Sequence, residues 1–256
     1  MARKAREYCE SNLYNAGIKG HNSQLLFFDD EDRLRFLRAT FLACEEFEVG
    51  LAAWVLMSNH THFLFHNEIK SLPSFFKSLG ASYSQWLRSK YSTSGEIWGG
   101  RYFAKGIESA EEYSQVAAYI FNNPVYARIT SDAREYEWSN FNEICLGYDE
   151  DAIKLINSIT DVNQIINLTK IKAQKKLSKE MKERLEVFPK ARVPDDILIS
   201  AVKGTVSIED LIQAYVLPEE QQRCIVNLLL NNGASINQVS RITGISRRWI
   251  AAFTED

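Results

Sequence analysis

The chain has 256 residues, a formal net charge of -3, 45% hydrophobic and 25% charged residues. Such values fit an ordinary globular protein of one large or two modest domains. They exclude bulk charge as a means of binding nucleic acid, so any such binding must rest on local basic patches. No apolar run reaches the length of a membrane span, and the basic start Met-Ala-Arg-Lys-Ala-Arg is not followed by an apolar segment. Cys9, Cys44, Cys145 and Cys224 are scattered, with neither zinc-site nor disulfide-framework spacing. The expectation is a cytoplasmic protein with reduced thiols and no membrane partner.

In chain order, residues 11–19 predict a short strand. Asp29–Asp32 offer an N-cap and an acidic first turn. A helix then follows over 31–48, with Leu34, Leu37, Phe41 and Leu42 at helical spacing and Gly50 as its stop. The apolar run Leu51–Met57, the turn residues Ser58 and Asn59 and the alternating His60–His66 predict a hairpin. Leu72, Phe75, Phe76, Leu79, Tyr83, Trp86 and Leu87 predict a helix over 72–91. Gly95, Gly99 and Gly100 mark a loop, Tyr102–Ile107 a further strand, and Ala110–Asn122 a helix ended by Pro124. This order predicts an α+β fold, an antiparallel sheet with helices on it.

After Tyr148 aromatic residues thin out. Residues 149–190 are expected to form a basic helical connector, carrying Lys170, Lys172, Lys175, Lys176, Lys179, Lys182 and Arg184, with Pro189 and Pro194 as punctuation. Residues 191–256 are expected to be all-helical. There Ser235 and Ser246 can cap two helices around a turn at Gly244, with Val239, Ile242, Ile245 and Ile250 as a small core. That pattern reads as a helix-turn-helix with Arg247 and Arg248 early in its second helix, placed for DNA; a plain helical packing module is the alternative.

Three of the four histidines lie at His60, His62 and His66. On a strand His60 and His62 share a face, about 7 Å apart, while Thr61, Phe63 and Phe65 face the core. Both imidazoles can reach one metal; His66, about 13 Å from His62, cannot. The same pattern also fits histidines that decorate an exposed sheet face, and two imidazoles need a third ligand from elsewhere.

On the later helix Tyr119 and Asn123 are four residues apart and project from one face. A tyrosine hydroxyl, with an ordinary pKa of about 10, is a weak nucleophile unless the phosphate it attacks is polarised. Asn123 can add an amide oxygen to the two imidazoles, a donor set suited to Mg²⁺ or Mn²⁺. Pro124 biases Asn123 away from helical geometry. Tyr119 also fits a packed aromatic.

Four runs together resemble one family. They are Leu56-Met57-Ser58-Asn59-His60-Thr61-His62-Phe63-Leu64, Trp98-Gly99-Gly100-Arg101-Tyr102, Tyr119-Ile120 with Asn123-Pro124-Val125, and Tyr136 with Trp138-Ser139. They are similar, in order, to the motifs of the REP-associated tyrosine transposases, a branch of the HUH single-strand nucleases, over most of residues 1–148. The resemblance implies a ferredoxin-like HUH domain at 1–148 with a C-terminal helical extension. It implies that Tyr119 attacks single-stranded DNA at hairpin-forming repeats and forms a 5′-phosphotyrosine, with the metal on His60, His62 and Asn123. Lys19, Arg101 and Lys105 are candidate phosphate contacts. Thr61 departs from the family's hydrophobic residue, and Asn15 and Lys19-Gly20 stand where it usually shows His and Arg-Gly. The protein is expected to be a monomer or homodimer. The alternatives are a non-catalytic DNA-binding regulator of repeats and an unrelated metalloenzyme using the histidine pair.

Overall fold

The computed structural model describes residues 9–67, 69–92, 94–173, 195–202 and 205–254. Strands β1 (Leu13–Gly17), β2 (Gly50–Met57), β3 (His60–His66) and β4 (Phe103–Gly106) form one antiparallel sheet in the order β2-β3-β1-β4. Helix α1 (Asp30–Glu46) joins β1 to β2, and α2 (Leu72–Tyr91) joins β3 to β4. This is the α+β, ferredoxin-like arrangement, with further helices after it.

The pleat divides each strand between two layers. On one face Tyr14, Ala16, Trp54, Leu56, Phe63 and Phe65 pack with α1 and α2 through Phe36, Phe75, Phe76 and Tyr83. On the other, Leu13, Val55, Met57 and Leu64 pack under α3 (Ala110–Phe121) through Tyr113, Ala117, Ile120 and Phe121. A register shift between Leu51 and Ala53 lets Ala52 and Ala53 both enter this second layer. His60 and His62 therefore belong to the α3 face, at its open end.

Local chemistry starts the helices where expected. Asp29 caps α1 by accepting from Asp32 N at 3.0 Å, and Ser109 caps α3 by accepting from Glu112 N at 3.1 Å. Two expectations fail. The buried side of α1 is Phe36, Ala39, Thr40 and Ala43, whereas Leu34, Phe41 and Leu42 are exposed. Gly50 does not stop α1; the helix ends at Glu46, the chain turns through Glu48 at φ 53°, and Gly50 opens β2 opposite His66.

After the one-turn α4 (Asn123–Tyr126) come α5 (Phe141–Leu146), α6 (Glu150–Asn157) and α7 (162–173). The stretch 150–173 does not stand free: Ile156 and Ile165 are fully buried in the layer that holds Ile120. Lys175, Lys176, Lys179, Lys182, Arg184, Pro189 and Pro194 lie outside the described residues. Helices α8 (Asp195–Val202), α9 (Ile208–Ile212), α10 (Glu219–Asn231), α11 (Ile236–Thr243) and α12 (Arg247–Thr254) share a third core containing Val239, Ile242, Ile245 and Ile250. Leu25, from the loop before α1, enters that core and ties it to the sheet domain. Ser235 caps α11, Gly244 turns the chain at φ 73°, and Ser246 accepts from Trp249 N at 3.2 Å. No helix among the described residues is long and apolar enough to cross a membrane.

Candidate active site

The rings of His60 and His62 meet edge to face with centroids 5.2 Å apart. Tyr119 stands edge-on to His62 at 5.6 Å, and Phe103 of β4 packs on the same imidazole at 5.3 Å. The sheet thus brings the sequence-predicted histidines and tyrosine together from β3 and α3. Tyr119 is 42% exposed, so a substrate can reach its hydroxyl. Gly17 of β1 lies beside this cluster. A Cβ there would collide with the Thr61 carbonyl and come within 2.6 Å of the Phe103 ring, so only glycine permits the close approach.

Burial, then His62 and Lys19, push the His60 pKa down to about 3, and burial pushes His62 down to about 4. Both rings are neutral at pH 7 and carry a lone pair. The His60 tautomer follows from its neighbour. Asn59 Nδ2 donates to the Ser23 carbonyl at 3.0 Å, which orients the amide and leaves Asn59 Oδ1 facing His60 Nδ1 at 2.7 Å. An amide oxygen only accepts, so Nδ1 carries the proton and Nε2 is the free ligand atom. His62 Nδ1 is buried without a hydrogen-bond partner among the described residues, so none of them orders that ring in the same way. Asn59 was read from sequence only as turn chemistry; its position next to His60 was the available signal.

Asn123 does not fray. It opens α4, is 8% exposed, and its Nδ2 donates to Tyr119 O at 2.9 Å and Ile120 O at 3.3 Å. Pro124 is accommodated because it sits in the first turn of a new helix, where its missing N–H costs nothing. Only the Oδ1 end of Asn123 is left to act as a ligand. Among the described residues no group of three His, Cys, Asp or Glu side chains could hold a metal. The fit to a divalent cation therefore rests on two neutral imidazoles plus an amide or substrate oxygen, a donor set compatible with a cation that keeps open positions.

His66 is occupied elsewhere, with Nε2 2.7 Å from Tyr113 Oη. Thr61 is fully buried, and its Oγ1 accepts from Ile18 N at 3.4 Å. Lys19 is exposed and pairs with His60 across an isolated bridge; Arg101 is exposed just before β4. Lys105 is also exposed but is paired to Glu112 at 3.2 Å. Asn15 lies between Leu64 and Lys105 on the histidine side of the sheet, with Oδ1 buried and unpartnered. Arg247 and Arg248 are not part of this cluster; they line a separate cleft.

No curated protein matches the chain. Residues 21–123 match the family model described as "Transposase IS200 like", a span that contains His60, His62, Tyr119 and Asn123. Among solved structures, the chain is similar to a REP-associated tyrosine transposase bound to a REP hairpin. That match has 16% identity and a TM-score of 0.50, covering 57% of this chain and 86% of the other. A candidate transposase from Deinococcus radiodurans R1 aligns at 18% identity and a TM-score of 0.34, covering 47% of this chain and 97% of that one. The first of these likenesses shows a shared fold. The family match over 21–123 spans the strands and the helix that carry His60, His62 and Tyr119.

Proposed function

We propose that the protein is a metal-dependent single-strand DNA endonuclease and transposase that works through Tyr119. The observation that carries this reading is the edge-to-face row His60, His62, Tyr119 on one sheet face, with the exposed Tyr119 at its end. A divalent cation, Mg²⁺ or Mn²⁺, would be held by His60, His62 and Asn123 and would polarise the scissile phosphate. Tyr119 Oη forms the new bond to phosphorus as the bond to O3′ breaks. The strand 3′ of the cut stays on the tyrosine through its 5′-phosphate, and the strand 5′ of the cut leaves with a 3′-hydroxyl that takes up the proton. Attack by a 3′-hydroxyl on the phosphotyrosine reverses the step, so strands are rejoined without an external energy source.

Lys19 and Arg101 are proposed to hold the phosphates beside the reacting one, and Lys105 to assist once it leaves Glu112. An exposed ion pair of this kind is worth at most about 1 kcal/mol, so a phosphate can displace it. Hairpin-forming repeats are the proposed substrates, as the fold relative is bound to a REP hairpin. The test is incubation of the protein with labelled hairpin oligonucleotides and Mn²⁺, followed by denaturing electrophoresis. Wild type should give a covalent protein–DNA adduct and Tyr119→Phe none. An adduct formed by the Phe variant would name a different nucleophile, and no wild-type adduct across varied hairpins would sink the catalytic reading.

A further inference from the structure

A cleft of about 1240 Å³ lies between the loops of the sheet domain and the C-terminal helices. One wall is the loop 21–24; the other carries Tyr215, Arg247 and Arg248. Arg241 also reaches the cleft but is tied to Asp195, Nε to Oδ2 at 2.7 Å. Arg247 and Arg248 are exposed at the start of α12, and neither has an ion-pair partner among the described residues. Tyr215 is 46% exposed, an unusual cost for a large ring with a neighbouring core available. Its back is supported by Gly244, where a Cβ would come within 2.9 Å of Tyr215 Cδ1.

We infer that this cleft is a second DNA site, which takes the single-stranded flank of the substrate with Arg247 and Arg248 on its phosphates and Tyr215 stacked on a base. Three observations carry the inference. A cationic groove with an exposed aromatic is the combination that binds single strands without reading sequence, because every base has a face to stack and every nucleotide a phosphate. The groove is cationic: among the described residues, Arg247 and Arg248 face one acidic side chain on its lining, Glu96, which lies 3.1 Å from His21 Nδ1. Finally, the near wall is continuous with the candidate active site. Gly20 N donates to Asn59 O at 2.9 Å, Asn59 Nδ2 holds Ser23 O, and Lys19 pairs with His60. A strand bound at His60 would run past the exposed Lys19 to reach loop 21–24, which shares its cleft with Arg247. A helix that reads duplex DNA has to enter a major groove about 12 Å wide. The first residues of α12 instead share their cleft with an opposing loop, which favours a single strand.

The inference rests on the reading of this chain as a DNA-strand enzyme, and its test is separate from the adduct assay. In the Tyr119→Phe background, where no covalent capture intervenes, binding of fluorescein-labelled oligo-dT is followed by anisotropy across a salt titration. Arg247→Ala/Arg248→Ala should weaken binding about tenfold and reduce the slope of log K against log salt by about 1.4, two phosphates at about 0.7 each. Tyr215→Ala should weaken binding at least about fivefold with the slope unchanged, since stacking carries no counterions. The idea is overturned if both variants bind oligo-dT like their parent, or if the loss appears with a duplex and not with the single strand. Unchanged binding beside a normal wild-type adduct removes the cleft and leaves the nuclease; the reverse result removes the nuclease and leaves the cleft.

Discussion

His60 and His62 are held in different ways, and the difference has consequences. His60 has its tautomer set by Asn59, which is itself set by Ser23. Removing such an outer partner usually lowers metal affinity about 10–100-fold. Asn59→Ala should therefore weaken Mn²⁺ binding by that factor in calorimetry while the fold, followed by circular dichroism, is kept; equal affinity would show that the Nδ1 contact does not govern the ligand. Thr61 is the second informative residue. Its strand position made it core-facing, as expected, but its use of the hydroxyl was not legible. The Ile18 amide at the end of β1 has Thr61 Oγ1 as its acceptor. Thr61→Val keeps the volume and removes that acceptor, so a loss of about 1 kcal/mol in urea denaturation is expected. A hydrophobic residue at this place would need the Ile18 amide to find another partner.

At the scale of elements, the hairpin and α2 were readable because one pattern dominated each. Helix α1 offered two apolar stripes, Leu34–Leu37–Phe41 and Phe36–Ala39–Ala43, and periodicity alone does not rank them. The sheet buries the second. The contact between α1 and α2 also hides a charge cluster that no spacing rule reveals. Asp32 is fully buried and accepts from Phe28 N, Trp86 Nε1 and Tyr91 Oη, with Lys90 Nζ 3.0 Å away. Lys90 also reaches Asp29 at 2.8 Å and Glu31 at 2.9 Å. Lys90→Met leaves a buried carboxylate without its cation, and a loss of about 3 kcal/mol is expected in denaturant unfolding. A loss below about 1 kcal/mol would mean that water reaches Asp32 once the lysine is gone.

For the whole molecule, acid is the expected weak point. Burial lowers His66 to about 4, as it does His62, and His60 falls to about 3. In the unfolded chain each would titrate near 6.5. The unfolded state then binds more protons from about pH 6.5 down to about pH 4 for His62 and His66 and about pH 3 for His60, so stability falls as pH drops through that window and is fully present above it. With chelator present, urea midpoints should hold from pH 8 to 7 and decline below about 6.5. His66→Gln, distant from the candidate metal ligands, should flatten part of the decline; an identical slope in that variant would assign the loss to other groups. By itself the sequence determined the element order, the strand face shared by His60 and His62, and the four-residue spacing of Tyr119 and Asn123. Those depend on periods of two and 3.6 residues, which are local properties of the backbone. Tertiary structure alone decided that Tyr119 lies against His62, that Asn59 orients His60, and that Arg247 and Arg248 face a shared cleft. Each of these joins residues far apart in the chain or a side chain to a distant backbone group, and the packing of helices on the sheet sets such meetings.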